Sequence, residues 1–218
     1  MLLKQAGTLQ APAYLQAPAY QIKAGRAMNS LRMGFLALGA ALALGGCGDK
    51  PVAPPLEGAR IGGPFSLTDQ TGKTVTDRDF DGRYRLVYFG YTYCPDVCPT
   101  DLQKIGAVLR EMEKSEPRLA AKIVPVFITI DPVRDTPGVI GRYVAHFHPR
   151  LIGLTGSPDA IARVAKAYAV PYSKVPGTAY FTHGTVTYLM GPKGEPIAPL
   201  TEDMTPDAMR AEILKWVK

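Results

Sequence analysis

Leu86-Val87-Tyr88-Phe89-Gly90-Tyr91-Thr92-Tyr93-Cys94-Pro95-Asp96-Val97-Cys98-Pro99 is an apolar run that ends in two closely spaced cysteines. The run Leu86–Gly90 is continuous enough for a buried central strand. After the cysteines, Leu102, Ile105, Val108, Leu109 and Met112 recur at helical spacing, which predicts an amphipathic helix of about 15 residues. The two thiols therefore stand at a strand-to-helix junction. There they can bind a soft metal or exchange with a disulfide.

Outward from that junction, strands and helices alternate. Upstream, Phe65–Leu67 and Lys73–Val75 flank the turn signal Asp69-Gln70-Thr71-Gly72, a hairpin pattern. Downstream, Ile123–Ile130 is a second buried strand that ends at Asp131-Pro132. Thr136-Pro137 caps a helix towards Phe147, and Leu151–Thr155 is a short strand. Ser157-Pro158-Asp159 starts a helix to about Tyr168, with Pro at its first position. Thr185–Met190 enters a terminal hairpin through Gly191-Pro192-Lys193-Gly194, and Thr205-Pro206-Asp207 caps a last helix to Val217. Crossover helices between strands favour parallel neighbours. The expected fold is α/β and thioredoxin-like: a central mixed β-sheet flanked by helices, with an N-terminal hairpin and a C-terminal hairpin plus helix.

The first 46 residues read as leader. Leu9–Tyr14 is repeated at once as Leu15–Tyr20, a Pro/Ala-rich duplication without helical or strand period. Met28 and Met33 are alternative starts, so residues 1–27 are expected to be an extension, disordered or upstream of the true start. Arg32 precedes Met33–Gly46, an n-region and short h-region, so residues 28–46 read as a signal peptide. The segment ends Leu44-Gly45-Gly46-Cys47, which resembles a bacterial lipobox with Cys47 as the lipidated residue; the alternative is an uncleaved anchor in which Cys47 is incidental. Residues 47–60 then form the lipidated cysteine and an extended linker, and residues 61–218 the folded domain.

Charge and cysteine count narrow the chemistry. Four of the 25 basic residues and none of the 19 acidic ones lie in residues 1–46, which leaves a nearly neutral body. That balance argues against nucleic acid as a partner. With Cys47 assigned to lipid, Cys94 and Cys98 remain. Outside the cytoplasm such a pair is a disulfide or a metal-protected dithiol. A bridge closing so short a loop contributes little stability, so function rather than stapling is expected.

Several motifs in order carry a family resemblance. The segment Tyr88–Pro99, the segment Ile128-Thr129-Ile130-Asp131-Pro132-Val133-Arg134-Asp135-Thr136, Leu154-Thr155-Gly156, and His183 with Tyr188-Leu189 and Gly191–Gly194 resemble the Sco/SenC copper chaperone family. The resemblance runs from about Gly62 to the C-terminus. It implies a membrane-tethered, thioredoxin-fold protein that binds one copper, Cu(I) or Cu(II), through Cys94, Cys98 and His183. It also implies a role in building the dinuclear copper site of cytochrome c oxidase subunit II, with other copper carriers as further partners. With the lipobox-like leader, the protein itself is expected at the periplasmic or extracytoplasmic face of a bacterial cell envelope, as a membrane-anchored lipoprotein.

The donor types agree with this on their own. Two thiolates and an imidazole suit copper, whereas zinc usually takes four protein ligands in a closed site. Pro99 biases Cys98 away from helical angles, so Cys98 is expected at the N-cap, where the helix dipole lowers a thiol pKa. The family usually has Asp before the histidine; Thr182 stands there, so the imidazole must be oriented by another partner.

The bland residues are read alongside. His146 and His148 do not share a face and are expected to be solvated. Asp131, Arg134 and Asp135 are read as surface ion-pair, helix-start or functional groups, and Tyr91 and Tyr93 as metal shield, docking face or simple packing. The competing function is a thiol–disulfide oxidoreductase that uses Cys94 and Cys98 to reduce partner disulfides. A third reading is a peroxiredoxin-like peroxidase.

Overall fold

The structure, a computed structural model, describes residues 52–218. The extension, the signal peptide and Cys47 lie outside the described residues. In the segment read as an extended linker, residues 54–59 instead form turns, and Leu56 N–H donates to Ile197 O at 3.0 Å.

Seven strands form one mixed sheet, in the spatial order 74–76, 66–69, 152–155, 123–129, 84–90, 187–190 and 196–200. The opening hairpin is β1 (Ser66–Asp69) and β2 (Thr74–Thr76), closed by Asp69 Oδ1, which accepts from Thr71 and Lys73 N–H. At the centre, β3 (Tyr84–Gly90) runs parallel to β4 (Ile123–Thr129), which runs parallel to β5 (Ile152–Thr155). All seven residues of β4 are buried, as a strand covered on both faces requires. The closing hairpin is β8 (Thr187–Met190) and β9 (Pro196–Leu200), with β8 antiparallel to β3.

The helices are α1 (Val97–Ser115), a single turn α2 (Pro117–Ala120), α3 (Pro137–Ala145), α4 (Pro158–Ala167) and α5 (Pro206–Trp216). Ser157 and Thr205 cap α4 and α5 through side-chain oxygens that accept from Ala160 N–H and Ala208 N–H. The expected sheet, both hairpins and the parallel centre are present. The short 3-10 turn Asp77–Phe80 and α2 were not anticipated, nor was the feature that matters for the site: β6 (Tyr172–Lys174) and β7 (Phe181–His183) pair only with each other, as a separate two-stranded sheet. Among the described residues, no helix is long and apolar enough to cross a membrane.

His148 corrects the reading of a solvated pair. His146 is exposed, but His148 is only 2% exposed. Its Nδ1 accepts from Arg150 N–H, and its Nε2 lies 3.4 Å from Glu113 Oε2 without hydrogen-bond alignment. Burial holds the imidazole below its ordinary pKa of 6.5; Glu113 opposes this, and Arg150 and Arg110 add to it. A depressed folded-state pKa means the unfolded chain takes up this proton first as pH falls. Stability is therefore expected to be full above about pH 6.5 and to decline below it. Thermal melts at pH 7.5 and 5.5 should show a smaller loss in His148→Gln than in the parent. Part of the loss will persist, because burial depresses His183 in the same direction.

Candidate metal centre

The end of β3 sets the site. Ile130 N–H donates to Gly90 O, which continues the β3–β4 pairing to the edge of the sheet. The chain then turns through Tyr91–Asp96 into α1. This loop is anchored by Asp135, which is fully buried rather than superficial. Its carboxylate accepts from Thr92 N–H (3.0 Å), Thr92 Oγ1 (2.5 Å) and Thr129 Oγ1 (2.6 Å). Asp135 thereby ties the cysteine loop to the turn after β4.

Cys98 is the second residue of α1, with Asp96 at the N-cap, so the N-cap placement expected from Pro99 does not hold. Proline is tolerated within a first helical turn, where its missing N–H has no intrahelical partner. The Cys98 sulfur is fully buried against the end of β3, where a Cβ on residue 90 would sit 2.8 Å from it. Glycine at 90 is what lets the sulfur approach the strand. Burial, not the helix dipole, decides the acidity of this thiol, pushing it well above its ordinary range. The lowered pKa expected from the helix start is therefore reversed. Both Cys94, half-buried, and Cys98 are free thiols.

His183 arrives from the far side on β7. Its Nε2 is 3.2 Å from Cys98 Sγ, and one donor atom from each of Cys94, Cys98 and His183 lies within 4.8 Å of the others. Nδ1 is 2.9 Å from Gly184 O. A carbonyl only accepts, so Nδ1 carries the proton and the Nε2 lone pair faces the sulfurs. Burial lowers the imidazole pKa and keeps the ring neutral. The ring packs edge-on against Tyr91 (5.9 Å) and Tyr88 (6.3 Å).

Thr182 takes no part in orienting the ring. Its Oγ1 pairs with Ser173 Oγ1 at 2.9 Å, and the Gly184 carbonyl supplies the orientation that the missing Asp left open.

The neighbouring residues divide. Tyr91 is buried, whereas Tyr93 is 62% exposed. Arg134 forms an ion pair with Asp131 and lies over the rings of Tyr93, Tyr91 and Phe181. Sequence reasoning missed Tyr88 and Asp101. Tyr88 hydroxyl and Asp101 Oδ2 are buried without hydrogen-bond partners, and burial, then Cys98 and Asp101, holds the phenol protonated. The signal for Asp101 was present: a lone acid three residues after Cys98, on the helix face that carries Leu102 and Ile105.

Comparison with known proteins fits this arrangement. The SCO1/SenC family description matches residues 53–218, and the chain belongs to that family. The mitochondrial "Protein SCO1 homolog" of Homo sapiens is 45% identical over 139 residues, which cover 62% of this chain and 46% of that protein. The chain thus spans about half the length of the first curated relatives it matches. The structure of Bradyrhizobium japonicum ScoI with copper bound is 44% identical, with a TM-score of 0.65, covering 72% of this chain and 99% of that one. Arabidopsis thaliana ScoI with copper bound is 40% identical, with a TM-score of 0.67, covering 71% and 96%. A soft, partly buried donor set of two sulfurs and a neutral imidazole nitrogen fits copper.

Proposed function

We propose that this chain is a copper-binding chaperone, tethered to the bacterial envelope through Cys47, that delivers copper to the dinuclear copper site of cytochrome c oxidase subunit II or prepares that site. The observation that carries the reading is the convergence of Cys94 and Cys98, from the loop entering α1, with His183, from β7, its Nε2 turned toward the sulfurs. Cys94 and Cys98 would supply thiolates and His183 the third ligand. Metal would displace the Cys98 proton that burial otherwise holds in place. The half-buried Cys94 gives an acceptor a sulfur to approach, so transfer would proceed by ligand exchange at that side.

One observation supports a second activity on the same residues: both thiols are free and adjacent. In that reading the more accessible Cys94 sulfur attacks a partner disulfide, forming a mixed disulfide and releasing one partner thiol. Cys98 then attacks Cys94, closing an internal disulfide and releasing the second thiol, so two electrons pass from the pair to the partner.

Copper-loaded, reduced chain mixed with the metal-free soluble domain of oxidase subunit II separates the readings. Copper recovered with subunit II from the parent is the expected result, and little from His183→Ala, because that variant retains little copper to hand on. Retention of copper by the donor, or reduction of a subunit II disulfide equally well by His183→Ala, would overturn the chaperone reading.

A further inference from the structure

The hairpin that carries His183 is not part of the main sheet. Its strands are three residues each, and its own backbone bonds are local, such as Val175 N–H to Tyr180 O and Gly184 N–H to Pro171 O. So short a hairpin has little stability of its own and depends on what it packs against. Among the described residues, besides the Cys98–His183 contact and the bond of His183 to adjacent Gly184, the hydrogen bonds that reach residues 172–183 from the rest of the molecule come from two side chains.

The first side chain is Tyr91, in the cysteine loop. Its hydroxyl accepts from Phe181 N–H (3.1 Å) and donates to Phe181 O (3.3 Å), and its ring meets Phe181 edge-on at 5.6 Å. The second is Arg134, from the turn after β4. Its Nη2 donates to Ala179 O at 2.6 Å, while Asp131 fixes the guanidinium from behind and the aromatic rings of Tyr93, Tyr91 and Phe181 surround it. Both grip the hairpin two to four residues ahead of His183, at the first residue of β7 and in the turn before it. Neither is one of the three candidate donors, although the Tyr91 ring also meets the imidazole edge-on.

We propose that Tyr91 and Arg134 are positioning residues that latch the β6–β7 hairpin onto the cysteine loop through its backbone, and that this latch, beyond the bond that orients the ring, sets how firmly His183 is held as third ligand. The inference rests on the copper reading only for its consequence, since the latch exists in the metal-free chain. Opening it withdraws Nε2 and leaves a two-sulfur site, the state from which an acceptor can take the metal. The rate of copper release is then governed by residues that do not coordinate.

The test uses the full chain, with Tyr91→Phe, which removes only the hydroxyl, Arg134→Met, the double variant, and His183→Ala as reference. In the metal-free proteins, hydrogen exchange of the Phe181 amide reports the latch directly, because that N–H donates to Tyr91. Exchange is expected to quicken about tenfold in Tyr91→Phe, the equivalent of one net hydrogen bond, and further in the double variant. In the loaded proteins, each chain keeps one copper but releases it to a chelator roughly 10–100-fold faster, the range seen when an orienting partner of a ligand is lost. The visible or EPR spectrum of the Cu(II) form should move toward that of His183→Ala. Arg134→Lys, which keeps the charge beside Asp131, should restore only part of the effect. Unchanged Phe181 exchange, or parent-like release from the double variant while His183→Ala releases quickly, would overturn the latch. If the parent itself holds no copper, the copper reading fails, and Phe181 exchange still decides the latch.

Discussion

His183→Ala is expected to lower copper retention by more than the roughly 100-fold at the upper end of losses from outer-shell partners, because it removes a donor rather than its support. The present geometry gives the imidazole one job. Gly184 O takes the Nδ1 proton, so the remaining lone pair is at Nε2, 3.2 Å from Cys98 Sγ. A neutral ring is what a metal needs, and burial keeps it neutral. Competition with a chelator, followed optically, measures the loss. Free-thiol count and far-ultraviolet circular dichroism should stay at parent values, which would separate ligand loss from unfolding. Retention equal to the parent would remove His183 from the ligand set.

The second large effect is expected at Asp135, which no donor role requires. Asp135→Ala strips the acceptor from Thr92 N–H, Thr92 Oγ1 and Thr129 Oγ1 at a fully buried position. Leaving even one buried donor unsatisfied costs about 1–3 kcal/mol. The three together put the expected loss at about 3 kcal/mol or more, a large share of a domain's total stability. Urea titration measures it. Because Thr92 lies two residues before Cys94, the loop should loosen before the domain unfolds, and alkylation of Cys94 should quicken at urea concentrations where circular dichroism is unchanged. A loss within 0.5 kcal/mol, the range typical of surface positions, would mean that Asp135 does not brace the loop.

What the sequence made legible follows from where its signals are strongest. The strand–loop–helix around Cys94 and Cys98 is written in an unbroken apolar run and a helical repeat, and both survive as β3 and α1. The β4 run, the Gly191–Gly194 turn and the caps Ser157 and Thr205 were equally plain. The β6–β7 hairpin was not, because its strands are short and mostly polar or half-exposed, and side chains elsewhere hold it in place. Nothing local to His183 marks it as the end of a separate strand. Local rules also misplaced Cys98. They weigh the helix dipole and the residue before proline, but desolvation against β3 outweighs both once the helix docks. His148 illustrates the same limit: a polar residue before proline is solvated by default, and only tertiary packing against α1 buries it.

The most direct test of a copper site built from Cys94, Cys98 and His183 is the metal content of the reduced full chain after copper loading and removal of loosely bound ions with a competing chelator. One copper per chain in the parent, and none in Cys94→Ser/Cys98→Ser, is the expected result. A parent that retains no copper, or a double serine variant that retains as much as the parent, would contradict it.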